Sequence, residues 1–308
     1  MKDKKIKKKS FWAQLKRDKA LILIVLPVVI HYLVFIYYPM YGNIIAFKDY
    51  SPVLGITKSP WVGFRYFIQF FESPYFFRVL RNTLLISVYS ILWGFPIPII
   101  FALMTNDLKA GAYKKLVQAV SYIPYFISTV VVCGMLVNFL SPSSGIINSI
   151  IKALGGEAIN FLMEPSWFRT VFIASGIWQG FGWSAIVYLS ALTGVNPELY
   201  EAARVDGAGK LRQVWHVSIP CIMPTIIVTF IMNLGTLMSV GYEKIILLYN
   251  PVNLETADVI SSYVYRTGLV EGNYSFGSAV GLFNSVINLI LVFAANKISR
   301  RVSETSLW

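Results

Sequence analysis

Charge, histidine and cysteine are all scarce in this chain. Only 14% of its 308 residues are charged, against about a quarter in a soluble domain, and 56% are hydrophobic. Two histidines leave little for general base chemistry; there is no His-Glu-x-x-His, no Gly-x-Ser-x-Gly and no carboxylate pair placed for acid–base work, so no catalytic site is expected. Cys133 and Cys221 fall in or beside apolar runs without metal-ligand spacing and read as packing residues. None of the 15 Asp and Glu lies inside an apolar run, which argues against the carboxylate relays of proton-driven transporters. His31, the one imidazole in such a run, reads as packing.

What is present is apolar length. Six runs, at about 20–38, 82–104, 117–140, 169–192, 218–239 and 276–296, can each cross a ~30 Å hydrocarbon core as a helix. The expected fold is an all-α polytopic membrane protein of six transmembrane helices. Its organisation reads as a basic tail (1–19), a first anchor helix (20–38), an extracytoplasmic segment (39–81), a five-helix core (82–296) and a C-terminal tail (297–308).

The net charge of +12 invites a nucleic-acid reading, but its placement points to lipid. Nine Lys and Arg precede the first run, and three lie in each of 105–116, 193–217 and the C-terminal tail; the other nine of 27 belong to the alternate segments. That asymmetry predicts both termini in the cytoplasm, with the basic tail against anionic headgroups. The first run is too long for a signal peptide and ends in tyrosines, so it is expected to be retained.

Several runs carry polar faces. Asn284 and Asn288 continue the stripe of Gly277 and Gly281, and Thr229, Asn233 and Thr236 share a second face. Gln179 and Trp183 share a third, with Trp178 and Tyr188 nearby. Amides and rings without charge suit a neutral, hydroxyl-rich ligand, and they equally suit hydrogen bonding between helices. Gly176/Gly180 and Gly277/Gly281 read as close-packing pairs. Prolines at 27, 96, 98, 124, 220 and 224 are expected to interrupt their helices. Outside the runs, 61–82 reads as an aromatic interfacial helix, and 143–156 as a short amphipathic one closed by Gly155 and Gly156.

The segment 197–217 differs from the other connections. Pro197 suits a first helical turn, Glu198 and Glu201 oppose the N-terminal dipole, and Ala202 and Ala203 form helix with minimal bulk. Gly207 permits a sharp change of direction, after which Lys210 onward can resume as helix into the next run. The stretch Asp206–Leu211 fails as a phosphate-binding loop, since Arg204 stands where its first glycine belongs and Leu211 where its Ser or Thr belongs.

The stretch EAARVDGAGKLRQVWHVSIPCIMP resembles the signature of permease subunits of binding-protein-dependent ABC importers, carried by Glu201, Ala202, Ala203, Asp206, Gly207, Ala208, Trp215, Val217, Ile219 and Pro220. Trp215 and Ile219 replace the commoner Phe and Leu. WVGFRYF, YPMYGNIIAFKDY and SYIPYFISTVV resemble the branch importing sugars, and within it the subgroup for complex oligosaccharides and polysaccharide fragments. The resemblance implies a type I ABC importer permease fold in the cell membrane and a coupling helix at 197–217 seated on a cytosolic ATPase dimer. It also implies a second permease subunit, an extracytoplasmic solute-binding protein, lipid-anchored or periplasmic, and ATP and magnesium held by the ATPase rather than by this chain. The residues taken to carry coupling are Glu201, Ala202, Ala203, Asp206, Gly207, Ala208 and Pro220; those taken to line the pathway are Trp178, Gln179, Trp183, Tyr188, Asn233, Asn284 and Asn288. The alternatives are an ion-gradient-driven sugar transporter and a membrane-bound assembly or signalling protein without solute flux.

Overall fold

The computed structural model describes residues 18–302. Within them the chain is helical, and the only β pairing is an isolated antiparallel bridge between Lys48 and Trp61. Five helices are long and apolar enough to cross a membrane: Lys19–Phe47, Phe76–Asn106, Phe168–Thr193, Lys210–Gly235 and Tyr274–Arg300. A sixth crossing is split into Ala112–Phe126 and Thr129–Phe139, bent by 99°.

Contacts at the helix ends show that the split pair is one broken crossing. Its first half starts beside Asn106, whose carbonyl oxygen accepts from Lys114, and the neighbouring Asp107 pairs with Lys210 at the start of the fifth span. Its second half leads into 140–167, where the Leu162 and Pro165 carbonyls accept from Asn250, Asn253 and Thr256, beyond the other end of the fifth span. The two ends therefore reach opposite faces. Most of the N-terminal tail (1–17) and residues 303–308 lie outside the described residues.

All six expected runs become spans, with shifted limits. The second and fifth begin six and eight residues earlier than expected, at Phe76 and Lys210, because amphipathic turns extend them beyond the apolar stretch. The first continues to Phe47, well into the segment expected to begin at 39. It is peripheral: none of residues 19–40 is buried, and the turn Tyr41–Phe47 rests on the sixth span through Ala46.

The prolines interrupt less than expected. Pro27 and Pro224 sit inside regular α-helix, whereas the second span breaks for one residue at Phe95 and resumes with Pro96 and Pro98 in the first turn of its second half. Pro124 lies in the 3-10 turn Ile123–Phe126 at the 99° bend. Pro220 follows a π-helical stretch at Val214–Ser218, and Pro39 follows another at Leu33–Tyr37, so wider turns take up hydrogen bonds a proline cannot make and the helices continue.

Close helix approach follows the expected glycine pairs only in part. Gly277 meets Gly268, where an added Cβ would sit 2.8 Å from the facing Cα; around Gly180 and Gly281 there is open space. The tightest approach is at Gly182, where a Cβ would overlap the Ser121 carbonyl oxygen of the broken span. Gly182→Val should therefore cost upwards of ~1–3 kcal/mol, the usual penalty of overpacking, because backbone cannot move aside as a side chain can. Gly180→Ala should stay within about 0.5 kcal/mol. Thermal melts in detergent compare them, and equal melting points would refute the close contact.

On the face opposite the Asp107–Lys210 pair, short helices cover the bundle. The interfacial helix forms at Arg65–Glu72; Phe70 is buried against Phe76, Tyr263, Phe276 and Phe283. The expected amphipathic helix forms at Ile146–Ala153, and buried Asn148 fastens it by donating to Leu140, Ser141 and Ile159 carbonyls. Asp258 is fully buried, pairing with Arg78 at 3.0 Å and Arg266 at 2.8 Å and accepting from Ser262 at 2.9 Å. Asn82 donates to the Glu255 and Asp258 carbonyls and accepts from Arg169, tying this knot to the second and fourth spans.

Candidate functional site: a bent arm and an uncharged cavity

The segment between the fourth and fifth spans is a pair of helices hinged at a glycine. Asn196 caps the first, Pro197–Val205, by accepting from the Glu198 amide at 3.1 Å, with Pro197 at the first helical position where no amide is needed. The helix ends in a paired-bond turn: the Ala208 amide donates to the Ala203 carbonyl (2.8 Å) and the Gly207 amide to the Arg204 carbonyl (3.0 Å). That turn places Gly207 at φ +75°, a left-handed conformation that disfavours a side chain.

The second helix starts at Lys210 and runs through the π stretch and Pro220 into the fifth span without a break. Tyr200 bonds Ser218 at 2.9 Å and Gln213 donates to the Ala208 carbonyl, so the arm is braced against the span it joins. Ala203 and Ala208 are half-buried within the turn, while Glu201, Ala202, Asp206 and Gly207 are exposed. The Glu201–Arg204 pair spans 4.0 Å on open surface and contributes little. Val205 and Leu211 are 88% and 77% exposed, and Trp215 and Leu199 stand clear as well, an apolar fringe around the small-residue turn.

Deeper in the bundle a cavity of about 370 Å³ lies between the second and fourth spans and residues 233–241. Its polar lining includes Ser90, Ser184, Tyr188, Asn233 and Thr236, and it contains no charged side chain. Tyr188 bonds Thr229 at 2.9 Å, and Asn233 donates to the Thr229 carbonyl at 2.8 Å, so both are held in place at the wall. A shallower cleft on the outer-helix face, about 810 Å³, is bordered by Arg65, Gln69, Glu72 and Tyr263.

Of the seven residues read from sequence as pathway lining, the structure brings Tyr188 and Asn233 to this cavity. Gln179 donates to the Ile127 carbonyl at 2.8 Å, satisfying a group that the bend frees, and Trp183 stacks on Tyr125 with centroids 4.7 Å apart. Trp178 lines a separate apolar groove beside the broken span. Asn288 accepts from the Met238 amide and donates to Ser239, locking the sixth span to the loop after the fifth; Asn284 carries a buried Oδ1 without a hydrogen-bond partner. Ser90 and Ser184 were missed because a single serine in an apolar run shows no preferred face until its neighbouring helices are known. Asn196 was missed as well, although a capping residue directly before a proline is a helix-start signal.

Residues 75–304 match the family described as binding-protein-dependent transport system inner membrane component. The chain is 44% identical to Protein LplB of Bacillus subtilis over 299 residues, covering 97% of this chain and 94% of that one. It is 43% identical over 305 residues to the polygalacturonan/rhamnogalacturonan transport system permease protein YteP of the same organism, covering 99% and 95%. It also superposes on a chain of a bacterial alginate ABC transporter crystallised with an alginate pentasaccharide-bound periplasmic protein, with a TM-score of 0.89, 44% identity and coverage of 97% and 100%. Residues 1–74, which include the peripheral first span and the segment after it, and residues 305–308 fall outside the family match. The fold, its six crossings and these full-length similarities make the chain a member of the binding-protein-dependent transport system inner membrane components.

Proposed function

We propose that the chain is the permease subunit of an ATP-driven importer for carbohydrate fragments, oligosaccharides or pieces of polysaccharide. The observation that carries the reading is one continuous helix, Lys210–Gly235, with the arm's second helix at one end and the cavity residue Asn233 near the other. At 1.5 Å per residue those sites are ~35 Å apart on one rod. A tilt imposed at the arm therefore reaches the cavity wall.

On this reading the 197–217 arm sits in a groove of a cytosolic ATPase, where Glu201 and Asp206 make polar contacts and exposed Ala202 allows close approach. Ala203, Gly207 and Ala208 hold the bend, and Pro220 sits where the wide turn passes into the span. ATP and magnesium belong to that ATPase. Both termini face the cytoplasm, a second permease subunit completes the pathway, and a lipid-anchored or periplasmic solute-binding protein delivers sugar at the opposite face, where Arg65–Glu72 and the shallow cleft lie. Supporting the substrate class are the names of the relatives and a cavity whose hydroxyls, amide and tyrosine match sugar hydroxyls.

Proteoliposomes holding the permease pair, the ATPase and the binding protein should accumulate labelled oligosaccharide only with ATP inside the lumenal compartment that the ATPase faces. Accumulation that follows an ion gradient with ATP absent would overturn the reading in favour of a secondary transporter, and absence of flux under every condition would favour an assembly role.

A further inference from the structure

Lys244 is a buried cation that the described interactions leave without an acid. It lies on the short helix Tyr242–Leu248, outside the six spans, and is only 9% exposed. Its Nζ donates to the Phe172 carbonyl at 2.8 Å and stands 4.8 Å from the centre of the Phe172 ring. An ammonium has three donors, and no carboxylate pairs with this one among the described residues. Burial lowers its pKa to about 8, which still leaves it protonated at neutral pH.

The position of the charge is as informative as its burial. Phe172 and Gly176 both line the uncharged cavity, and a Cβ at Gly176 would come 3.5 Å from Nζ. The ammonium thus lies directly behind two residues of the cavity wall, one of them without a side chain. Burying a cation without its counter-charge is costly, and a methionine would fill the same space at no electrostatic cost. A buried charge of this kind beside a cavity marks a candidate functional site.

We propose that Lys244 is an anion-recognition residue of the cavity and that the transported saccharides carry carboxylates, as uronate-containing oligosaccharides do. This rests on the carbohydrate-import reading and narrows it. It agrees with two of the similar proteins, whose names specify polygalacturonan and alginate. The cavity's hydroxyls would meet the sugar ring, and Lys244 would compensate the charge that an otherwise neutral wall leaves uncompensated.

The test is uptake by the complete transporter of trigalacturonate and an alginate trisaccharide, each beside its carboxyl-reduced neutral counterpart. Lys244→Met should lower uptake of the acidic trisaccharides at least tenfold, leave neutral uptake within about twofold, and keep or raise the melting temperature of the purified permease. Lys244→Arg should retain most acidic uptake. Equal losses for acidic and neutral sugars would assign Lys244 to packing or to a subunit contact and overturn the proposal, as would unchanged acidic uptake. A wild type that carries only neutral sugars would overturn it while leaving carbohydrate import standing; one that carries neither kind would overturn both.

Discussion

Gly207→Val should leave the chain in the membrane and reduce ATP-driven uptake by about 5- to 30-fold, because the left-handed conformation costs an ordinary L-residue roughly 1–2 kcal/mol, and a β-branched one at least that. The substitution acts on backbone alone: no atom lies within 4 Å of where a Cβ would point, so nothing clashes. The cost falls on the two hydrogen bonds that turn the first helix into the second. If the arm unbends, the exposed apolar fringe of Val205, Leu211 and Trp215 no longer presents the same shape to the ATPase. Gly207→Asn gives the matching control, since asparagine tolerates the left-handed region and should retain most activity. Pull-down of the ATPase, read beside uptake, places the loss at docking or at transmission. Valine and wild type behaving alike in both assays would remove the bend from the mechanism.

Asp258→Ala is expected to be the most destabilising single change in the segment between the fifth and sixth spans. The carboxylate is fully buried between two guanidiniums, and removing one member of a buried ion network costs ~3–5 kcal/mol because the others keep their desolvation penalty. Arg78 and Arg266 are still 29% and 28% exposed, so water recovers part of that and the loss should lie near ~3 kcal/mol. Asp258→Asn should fall between, since an amide can still accept from Ser262. The knot also fastens Asn82 and, through it, Arg169, so the defect should loosen the ends of the second and fourth spans together. Melting in detergent and hydrogen exchange over 255–266 measure it; an alanine variant that melts with wild type would show that the network is dispensable.

Long apolar runs made the spans legible, since a helix that must satisfy every backbone group in lipid leaves an unmistakable stretch of sequence. The arm was legible for a different reason: Pro197, Glu198, Ala202, Ala203 and Gly207 each state a local backbone preference, and no distant partner overrides them. The cavity was not. Whether Asn233 or Asn288 faces a void depends on which helix packs alongside, and Asn288 turned to the Met238 amide because the chain after the fifth span ends beside it. Gln179 went to the carbonyl that the 99° bend exposes, a demand invisible until the bend is known. Lys244 was counted among the outer charges because charge counting assigns residues to loops without asking what covers the loop. The glycine pairs were legible only in part: spacing by four marks a face, and the neighbouring helix decides which member is tight, so that Gly277 packs on Gly268 while Gly281 meets open space and the tightest approach falls at Gly182.

The peripheral first span has a consequence for how the chain is made. A helix with no buried residue from 19 to 40 and no acidic side chain can leave the translocon for lipid as soon as it is synthesised. The second span carries Asn82, Thr83 and Ser87, whose partners include Ile260 and Leu237, more than 140 residues later in the chain. The sixth carries Asn288, whose partners Met238 and Ser239 are already in place in the chain when it emerges. The contacts of the polar second span are thus completed only once translation reaches Leu237 and Ile260, whereas the sixth meets its partners at once.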